Sequence, residues 1–303
     1  MSSLLAVSNS LAETVEQAGS AVVAVNAGTR ISPSGIHWRH GIIVTSDESL
    51  QRYDEITVTL SDGRSVPVTF LGHDPSTDIA IFQLQDVEIP VAKIGDTTTL
   101  KVGHLVLGLA RSREGDLRAA MGAISVITGA WRSMSGGKID QFIRPDINLY
   151  PGFAGGPLVD ASGDVVGMNT SGRRGTALTI PTATVNRVVE QLVAKGRISR
   201  GYLGLGMQSV RLPENLRTTL NLTSTGGVIV VNVEPSGPAD NGGVLLGDVL
   251  VRFDGVSVSD TGDVLALLNN SDRIGKNVKV QVVRGGVLVE LALTVGERPT
   301  KED

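Results

Sequence analysis

A glycine-rich segment at Tyr150–Asp160, with the sequence YPGFAGGPLVD, has the residue types best suited to chemistry. Glycines in a turn between two strand-like segments let successive backbone N–H groups point at one spot, as the stabilisation of an oxyanion requires. An ordinary glycine-rich hairpin has the same composition, so the segment by itself leaves both interpretations open.

Histidines are the other natural candidates for chemistry, and the chain has four, His37, His40, His73 and His104. No pair has metal-ligand spacing such as His-Glu-x-x-His, and there is no cysteine, so we predict no metal site and no cofactor. The sequence places His37 and His40 in a turn before a strand that begins at Gly41. We expect structural or surface roles for all of them.

The composition of the 303 residues is typical of a packed, β-rich protein, with 41% hydrophobic and 19% charged residues and 37 glycines. A net charge of −4 without a basic run argues against a nucleic-acid partner. No apolar stretch is long enough to span a membrane. The N-terminal residues lack the pattern of a signal peptide, so we expect a cytoplasmic protein as the sequence stands, or a periplasmic one if a leader was removed.

Short strand-like segments that end at turn residues fill most of the first two thirds of the chain. About a dozen such strands with little helix between them predict an all-β sandwich or a pair of barrels. Helical spacing of apolar residues predicts helices over residues 9–19 and 181–195. The strands are expected at 21–25, 41–45, 55–60, 66–71, 79–84, 105–109, 118–127, 141–143, 157–159, 165–169 and 177–180.

A boundary near Gly196–Gly201 divides the chain into a first domain, 1–198, a second domain, 199–298, and a tail, 299–303. The second domain has about 100 residues, which is enough to fold alone. Its strands are predicted at 203–208, 227–233, 248–253, 278–283 and 287–295, and its helices at 237–242 and 260–270.

Segments in the same order along nearly the whole chain resemble the HtrA (high-temperature-requirement) family of PDZ-containing serine proteases. The resemblance implies a mainly β fold, in which a trypsin-like double β-barrel is followed by a PDZ domain, a small α+β barrel. It rests on the glycine-rich segment and on Gly41–Thr45, Asp54–Arg64, Asp74–Ala80, Ala177–Val189 and Arg200–Leu205.

The resemblance places the family's catalytic histidine, aspartate and serine at Glu48, Asp78 and Ala154. The mechanism needs a hydroxyl that attacks and an imidazole that accepts its proton, and neither is present at these positions. We therefore expect a catalytically inactive homologue, with the backbone N–H groups of Gly152 and Ala154 at the oxyanion-hole positions. The alternative is an active serine endopeptidase represented here by an inactivated variant, because serine-to-alanine is a usual experimental knockout.

Glu48 and Asp78 would face each other in the family fold, and such a carboxylate pair has one raised pKa. A carboxylate-based hydrolase is therefore a further alternative. We favour a Glu48 that turns out to solvent, since a chain with 3% aromatics shows no evident sugar-binding platform.

A PDZ domain binds the C-terminus of a partner as an added strand, so the resemblance implies protein or peptide ligands with apolar C-termini. The loop that would hold the terminal carboxylate consists of Tyr202, Leu203, Gly204 and Leu205. An apolar pocket is expected from Leu203, Leu205 and Met207. In the first domain, a strand edge that would hold an extended peptide is predicted at Asn169, Thr170 and Ser171.

An N-terminal segment drives trimer formation in the family, so we expect a homo-oligomer, a trimer by resemblance. Residues 1–20 here lack the aromatic side chains expected to interlock in it. The role implied is that of a scaffold, chaperone-like or regulatory protein in protein quality control, including regulation of an active homologue.

Overall fold

The computed structural model describes residues 3–85, 87–133, 135–171, 176–268 and 273–298. The predicted tail, 299–303, and the end of the helix predicted at 260–270 lie outside the described residues. The chain divides into two compact units, Met1–Ile198 and Ser199–Asp303.

Two closed barrels of six strands each make up most of the first unit. One barrel contains β1 (Val22–Asn26), β2 (Ser34–Arg39), β3 (Ile42–Thr45), β4 (Thr57–Thr59), β5 (Ser65–Asp74) and β6 (Ile79–Leu84), paired in the order β1-β2-β3-β6-β5-β4. The other contains β7 (Leu105–Arg111), β8 (Leu117–Thr128), β11 (Phe142–Asp146), β12 (Pro157–Asp160), β13 (Val165–Ser171) and β14 (Ala177–Pro181), paired in the order β11-β14-β13-β12-β7-β8. The short strands β9 (Trp131–Arg132) and β10 (Lys138–Ile139) pair with each other.

Two helices, α1 (Ser3–Gly19) and α2 (Thr182–Lys195), pack against the core of the first unit. Leu11, Val15 and Ala18 lie at helical spacing on α1 and form its inner stripe. The inner face of α2 buries Val185, Val188, Val189 and Leu192. Each fully buried side chain of this size contributes about 1.5–3 kcal/mol to folding, so both helices are held by their apolar faces.

A sheet of six strands forms the second unit, with β16 at one edge and β21 at the other. Its strands are β16 (Leu205–Arg211), β17 (Gly226–Val233), β18 (Val249–Phe253), β19 (Val256–Ser257), β20 (Asn277–Arg284) and β21 (Val287–Thr294). A separate pair is formed by β15 (Gly201–Tyr202) and β22 (Gly296–Glu297). The helices are α3 (Glu214–Thr219), α4 (Pro238–Asn241) and α5 (Thr261–Leu268). A core around Phe253, Val264 and Leu268 joins the sheet to α5.

The predicted mainly β fold, a double barrel followed by a smaller α+β unit, is confirmed. The sequence prediction was wrong about β2, because it placed His37 in a turn, whereas this residue is buried within the strand. The sequence of β2, SGIHWR, has no run of β-branched residues. Its strand conformation comes instead from pairing with β1 on one side and β3 on the other. The sequence also did not predict β9, β10 or α3.

Candidate functional site

Asp78 lies at the end of a tight turn between β5 and β6 that is held by the buried carboxylate of Asp74. That carboxylate accepts hydrogen bonds from the Ser76 N–H at 3.0 Å, the Ser76 hydroxyl at 2.7 Å and the Thr77 hydroxyl at 2.9 Å. The backbone of Asp78 has a φ of +58°, in the left-handed region. A non-glycine residue pays strain on the order of 1 kcal/mol there, and the turn holds it in place. The direction of the Asp78 side chain is therefore fixed by its own turn.

Donors from two other segments surround the Asp78 carboxylate. The backbone N–H of Glu48 donates to it at 2.7 Å, the Ser46 hydroxyl at 2.8 and 3.0 Å, and the Thr170 hydroxyl donates to Oδ2. Burial raises the pKa of Asp78 to about 6, while these donors lower it and the charge of Glu48 raises it. No imidazole is among the partners of Asp78 in the described part of the chain.

Glu48 lies in a 3-10 helix, Asp47–Ser49, that follows β3. Its side chain is exposed, so only its backbone N–H reaches Asp78. The carboxylates of Glu48 and Asp78 therefore share no enclosed pocket, and the raised pKa of Asp78 comes first from burial. A hydrolase built on these two carboxylates gains no support from this geometry.

The glycine-rich turn packs directly against the first barrel, and Gly155 is the point of closest approach. Gly155 has a φ of +80°, and a Cβ there would collide with the Ser34 carbonyl and the Thr45 hydroxyl. The neighbouring Ala154 is half-buried, and its carbonyl accepts the Ser34 N–H at 2.9 Å. Within the described residues, the N–H groups of Gly152 and Ala154 donate to no protein acceptor. Both donors are therefore available to an oxygen of a ligand.

The predicted strand edge at Asn169–Ser171 is partly occupied by the protein itself. The N–H of Asn169 donates to Gly156 and its carbonyl accepts from Gly155, both at 2.8 Å, while its buried side chain amide donates to Pro157. Thr170 uses its hydroxyl on Asp78. The pairing of β13 with β12 ends at Met168, whereas its pairing with β14 continues to Ser171. By the alternation of antiparallel ladders, the backbone of Ser171 faces the same side as β12, and no strand among the described residues pairs with it there.

Three of the four histidines make hydrogen bonds elsewhere in the first unit. His37 lies at 2.9 Å from the Pro90 carbonyl and accepts the Gly41 N–H at 3.1 Å, and burial lowers its pKa. His73 lies at 2.8 Å from the Asp47 carboxylate, which raises its pKa. His104 accepts the Lys101 N–H at 3.3 Å. Among the described side chains, no group of three or more His, Asp or Glu is arranged to hold a metal ion.

In the second unit, the predicted carboxylate-binding loop precedes the edge strand β16. The N–H groups of Leu203 and Gly204 have no protein acceptor within the described residues, and Gly204 has a φ of +71°. Leu203 is 2% exposed and packs in the core of the second unit, and its role in an apolar ligand pocket stays a prediction. The hydroxyl of Tyr202 donates at 2.5 Å to Glu234, whose carboxylate lies beside the loop.

The apolar residues beside this loop are partly open. Leu205 and Met207 of β16 and Leu267 of α5 are only partly buried against the core. The N–H of Thr261, at the start of α5, donates to the Ser209 hydroxyl of β16 at 3.1 Å, which ties the helix to the strand. A groove between an edge strand and a helix, with free N–H groups at one end, is the arrangement that receives a peptide C-terminus as an added strand.

Comparison with known proteins gives this geometry a family. Residues 33–168 match the trypsin-like peptidase domain and residues 201–295 match the PDZ domain. A relative from Pseudomonas savastanoi pv. phaseolicola, "Probable periplasmic serine endoprotease DegP-like", is 32% identical over 281 residues, covering 91% of this chain and 56% of the relative. A relative of the same name from Chlamydia pneumoniae is 31% identical and is covered over 54% of its length. The chain spans little more than half the length of these curated relatives.

Solved structures agree with the sequence relatives. "HtrA-type protease AlgW with decapeptide" superposes with a TM-score of 0.77 at 27% identity, covering 96% of this chain and 99% of that one. A serine endoprotease from Yersinia pestis gives a TM-score of 0.76 at 25% identity, covering 95% and 98%. The chain belongs to the HtrA family.

Sequence reasoning missed several residues around the HtrA triad positions. The role of the Ser46 and Thr170 hydroxyls on Asp78 was not predicted, because these residues are far apart in the chain and meet only when the barrels close. The cluster of Asp47, Tyr53 and His73 was also missed. No spacing signal marks it, since the register of β5 decides which side chains meet.

Proposed function

We propose that this HtrA homologue is catalytically inactive and binds peptides without cutting them. The observation that carries the proposal is the set of partners of Asp78, which are a backbone N–H and two hydroxyls where a protease needs an imidazole. Alanine at position 154 supplies no nucleophile. Loss of the nucleophile or the base alone costs about 10⁶ in turnover in a comparable protease.

Free backbone groups in the first unit support the proposal that the protein binds peptides. The free N–H groups of Gly152 and Ala154 and the open edge at Ser171 are the features that hold a substrate in a serine protease. We name the surface formed by Gly152–Gly155, Ser171 and Asp78 the vestigial cleft. An extended peptide bound there meets no group able to attack it.

Restoring the missing groups tests whether the scaffold is otherwise an intact protease. We expect the chain to leave casein uncut and the Glu48→His, Ala154→Ser double variant to cleave it, measured by release of soluble peptides. The single variants Glu48→His and Ala154→Ser are matched controls and should stay at least about 10³-fold below the double variant, because nucleophile and base act as a unit. Cleavage of casein by the unaltered chain, free of contaminating protease, would show that the proposal is wrong.

The alternative of an active serine endopeptidase, represented here by an inactivated variant, draws on the relatives, which are named serine endoproteases. This alternative predicts a different result for the Ala154→Ser single variant. If Ala154→Ser alone restored cleavage, a base other than the residue at position 48 would be at work, and an introduced alanine would be the better explanation.

We also propose that the PDZ groove binds protein C-termini whose last residue is apolar. The free N–H groups of Leu203 and Gly204 suit a terminal carboxylate, and the partly buried Leu205, Met207 and Leu267 suit an apolar side chain. The edge position of β16 leaves its outer side open for an added strand.

A labelled peptide ending in valine with a free carboxylate should bind this groove, and its C-amidated form should bind at least about tenfold more weakly, because the N–H groups then lose their anionic partner. Met207→Ser should also weaken binding, by about threefold to tenfold, through lost apolar contact. Fluorescence polarisation measures both effects. Val287→Ser, which changes an exposed valine on the opposite edge strand, is the control. Equal binding of free and amidated peptides would contradict the assignment.

We propose a homo-oligomeric scaffold, chaperone-like or regulatory role in protein quality control, by analogy with the HtrA family. The exposed apolar residues Leu4 and Val7 on α1 support a trimer contact at the N-terminal end. We propose a periplasmic location, because the relatives are named as periplasmic proteases. The sequence as it stands, in contrast, favoured the cytoplasm. None of the helices within the described residues is both long and apolar enough to cross a membrane.

A further inference from the structure

A cavity of about 380 Å³ opens beside the glycine-rich turn of the first unit, and four arginines line it. Three of them, Arg30, Arg113 and Arg118, are exposed and make no ion pair within the described part of the chain. Glu114 is the one acidic residue in the lining, and its pKa is lowered by hydrogen bonds and by the nearby Arg118 and Arg113. The lining therefore carries an excess of positive charge in a chain whose net charge is −4.

The fourth arginine, Arg111, is 4% exposed and donates only to neutral groups. Its Nε donates to the Val22 carbonyl at 2.5 Å, and its terminal nitrogens donate at 2.6 Å to the carbonyls of Gly115 and Gly19. An arginine stays protonated in proteins, and no carboxylate among the described residues pairs with Arg111. Because buried charges are screened less than exposed ones, Arg111 adds to the positive potential of the cavity.

The cavity also has a peptide-sized apolar rim. Ile31 is 52% exposed and Tyr150 is 61% exposed, and both line the cavity together with Gly152, whose N–H is free. A small inorganic anion would use the charges and leave these apolar surfaces uncovered. A peptide chain uses both, because its backbone and apolar side chains cover the rim while an acidic side chain enters the basic interior.

We propose that this cavity binds an acidic side chain of a peptide held in the vestigial cleft, so that the first unit selects peptide segments containing glutamate or aspartate. The proposal deepens the proposed function and rests on peptide binding in the vestigial cleft, because it concerns sequence preference at that site, but it does not depend on the PDZ groove or on catalytic inactivity. The positive charge of the cavity attracts the negative carboxylate of the peptide. The planar guanidinium groups of the arginines can donate two parallel hydrogen bonds to such a carboxylate.

The test uses the full chain and a short, C-amidated, fluorescein-labelled peptide rich in glutamate, since amidation removes the carboxylate that the PDZ groove requires. The same peptide with glutamine at each glutamate is the comparison. We expect the glutamate peptide to bind more tightly and the Arg113→Gln, Arg118→Gln double variant to weaken it by about threefold to thirtyfold, as two partly exposed ion pairs allow. Raising the salt to about 0.5 M should reduce the difference, because the Debye length then falls well below its value of about 8 Å at 0.15 M.

Two further variants show whether a loss of peptide binding comes from the charge of the cavity, from the net charge of the protein or from misfolding. Lys101→Gln with Lys195→Gln removes two exposed cations of the first unit that lie outside the cavity, and it should leave binding unchanged. Arg113→Lys with Arg118→Lys keeps both charges and should retain most of the affinity. Equal binding of the glutamate and glutamine peptides, or equal loss in the arginine and lysine-site variants, would overturn the proposal. Binding of inorganic phosphate in the cavity without any preference for the glutamate peptide would overturn it as well.

Discussion

At the scale of the residue, the Asp78 carboxylate holds its proton to a higher pH than an exposed aspartate does. Its pKa rises from 3.8 to about 6, mainly through burial. The unfolded chain therefore loses this proton first as the pH rises. The stability that comes from Asp78 is fully present below about pH 4 and is lost as the pH rises through about 6, by on the order of 2 to 3 kcal/mol.

We expect Asp78→Asn to abolish this pH dependence. The amide oxygen can accept the Glu48 N–H, and the amide N–H₂ can donate to the Ser46 and Thr170 hydroxyls, which are free to turn and accept. The variant should match the unaltered chain near pH 4 and be more stable above pH 6, measured by urea unfolding. Glu48→Gln is the control and should keep most of the dependence, since burial is the first cause. Parallel stability curves for the unaltered chain and Asp78→Asn would count against this account.

At the scale of the element, the 3-10 helix Asp47–Ser49 is fastened to β5 by an ion pair. The carboxylate of Asp47 accepts the Tyr53 hydroxyl at 2.7 Å and lies 2.8 Å from His73 Nδ1. The hydrogen bond to Asp47 raises the pKa of His73, although burial opposes it. The helix that carries Glu48 is thus held by an imidazole whose pKa this contact raises.

The stability from this ion pair is fully present below about pH 6.5 and is lost as the pH rises through the higher pKa of the folded state. We expect His73→Gln to remove that loss, as measured by thermal unfolding between pH 6 and pH 9. Because more than a third of the imidazole is exposed, the effect should stay below about 1 kcal/mol. Tyr53→Phe keeps the pair of Asp47 and His73, so it should keep the pH dependence. A Tyr53→Phe curve as flat as that of His73→Gln would contradict the assignment.

The elements also show what a sequence can predict. The strand β6 (Ile79–Leu84) is a run of mostly apolar residues, and its bounds were predicted as observed, whereas the bounds of other predicted strands differ by one or more residues. The strand β2 was missed because its conformation depends on two neighbouring strands rather than on its own residues. The family resemblance located Glu48, Asp78 and Ala154. It did not predict that Ser46 and Thr170 would hold Asp78 or that Asn169 would be occupied, because those contacts depend on closure of both barrels.

At the scale of the whole molecule, the N-terminal end of α1 presents apolar residues to solvent. Leu4 is 78% exposed and Val7 is 52% exposed, while the stripe of Leu11, Val15 and Ala18 is used within the unit. Burial of such residues against other copies would stabilise an assembly by about 25 cal/mol for each Å² of apolar surface covered. We therefore expect the exposed apolar end of α1 to form the contact between copies in a trimer.

Sedimentation equilibrium should give three times the mass of the chain, and Leu4→Ser with Val7→Ser should shift the protein towards the monomer. The control is Val102→Ser, which changes a 61% exposed valine elsewhere in the first unit and should leave the assembly intact. A monomeric mass for the unaltered chain at micromolar concentration would show that α1 is not a contact between copies.

The neighbouring positions 154 and 155 are constrained for different reasons, position 155 by folding and position 154, in an active protease, by catalysis. Any side chain at Gly155 would collide with Ser34 and Thr45, so folding alone preserves this glycine whether or not the protein cuts peptides. The neighbouring Ala154 is half-buried and already carries a Cβ, so the turn holds a side chain at that position. If the chain has lost its nucleophile, as we propose, folding would therefore still keep the shape of this turn, and the Glu48→His, Ala154→Ser variant asks whether new side chains on that backbone are enough for catalysis.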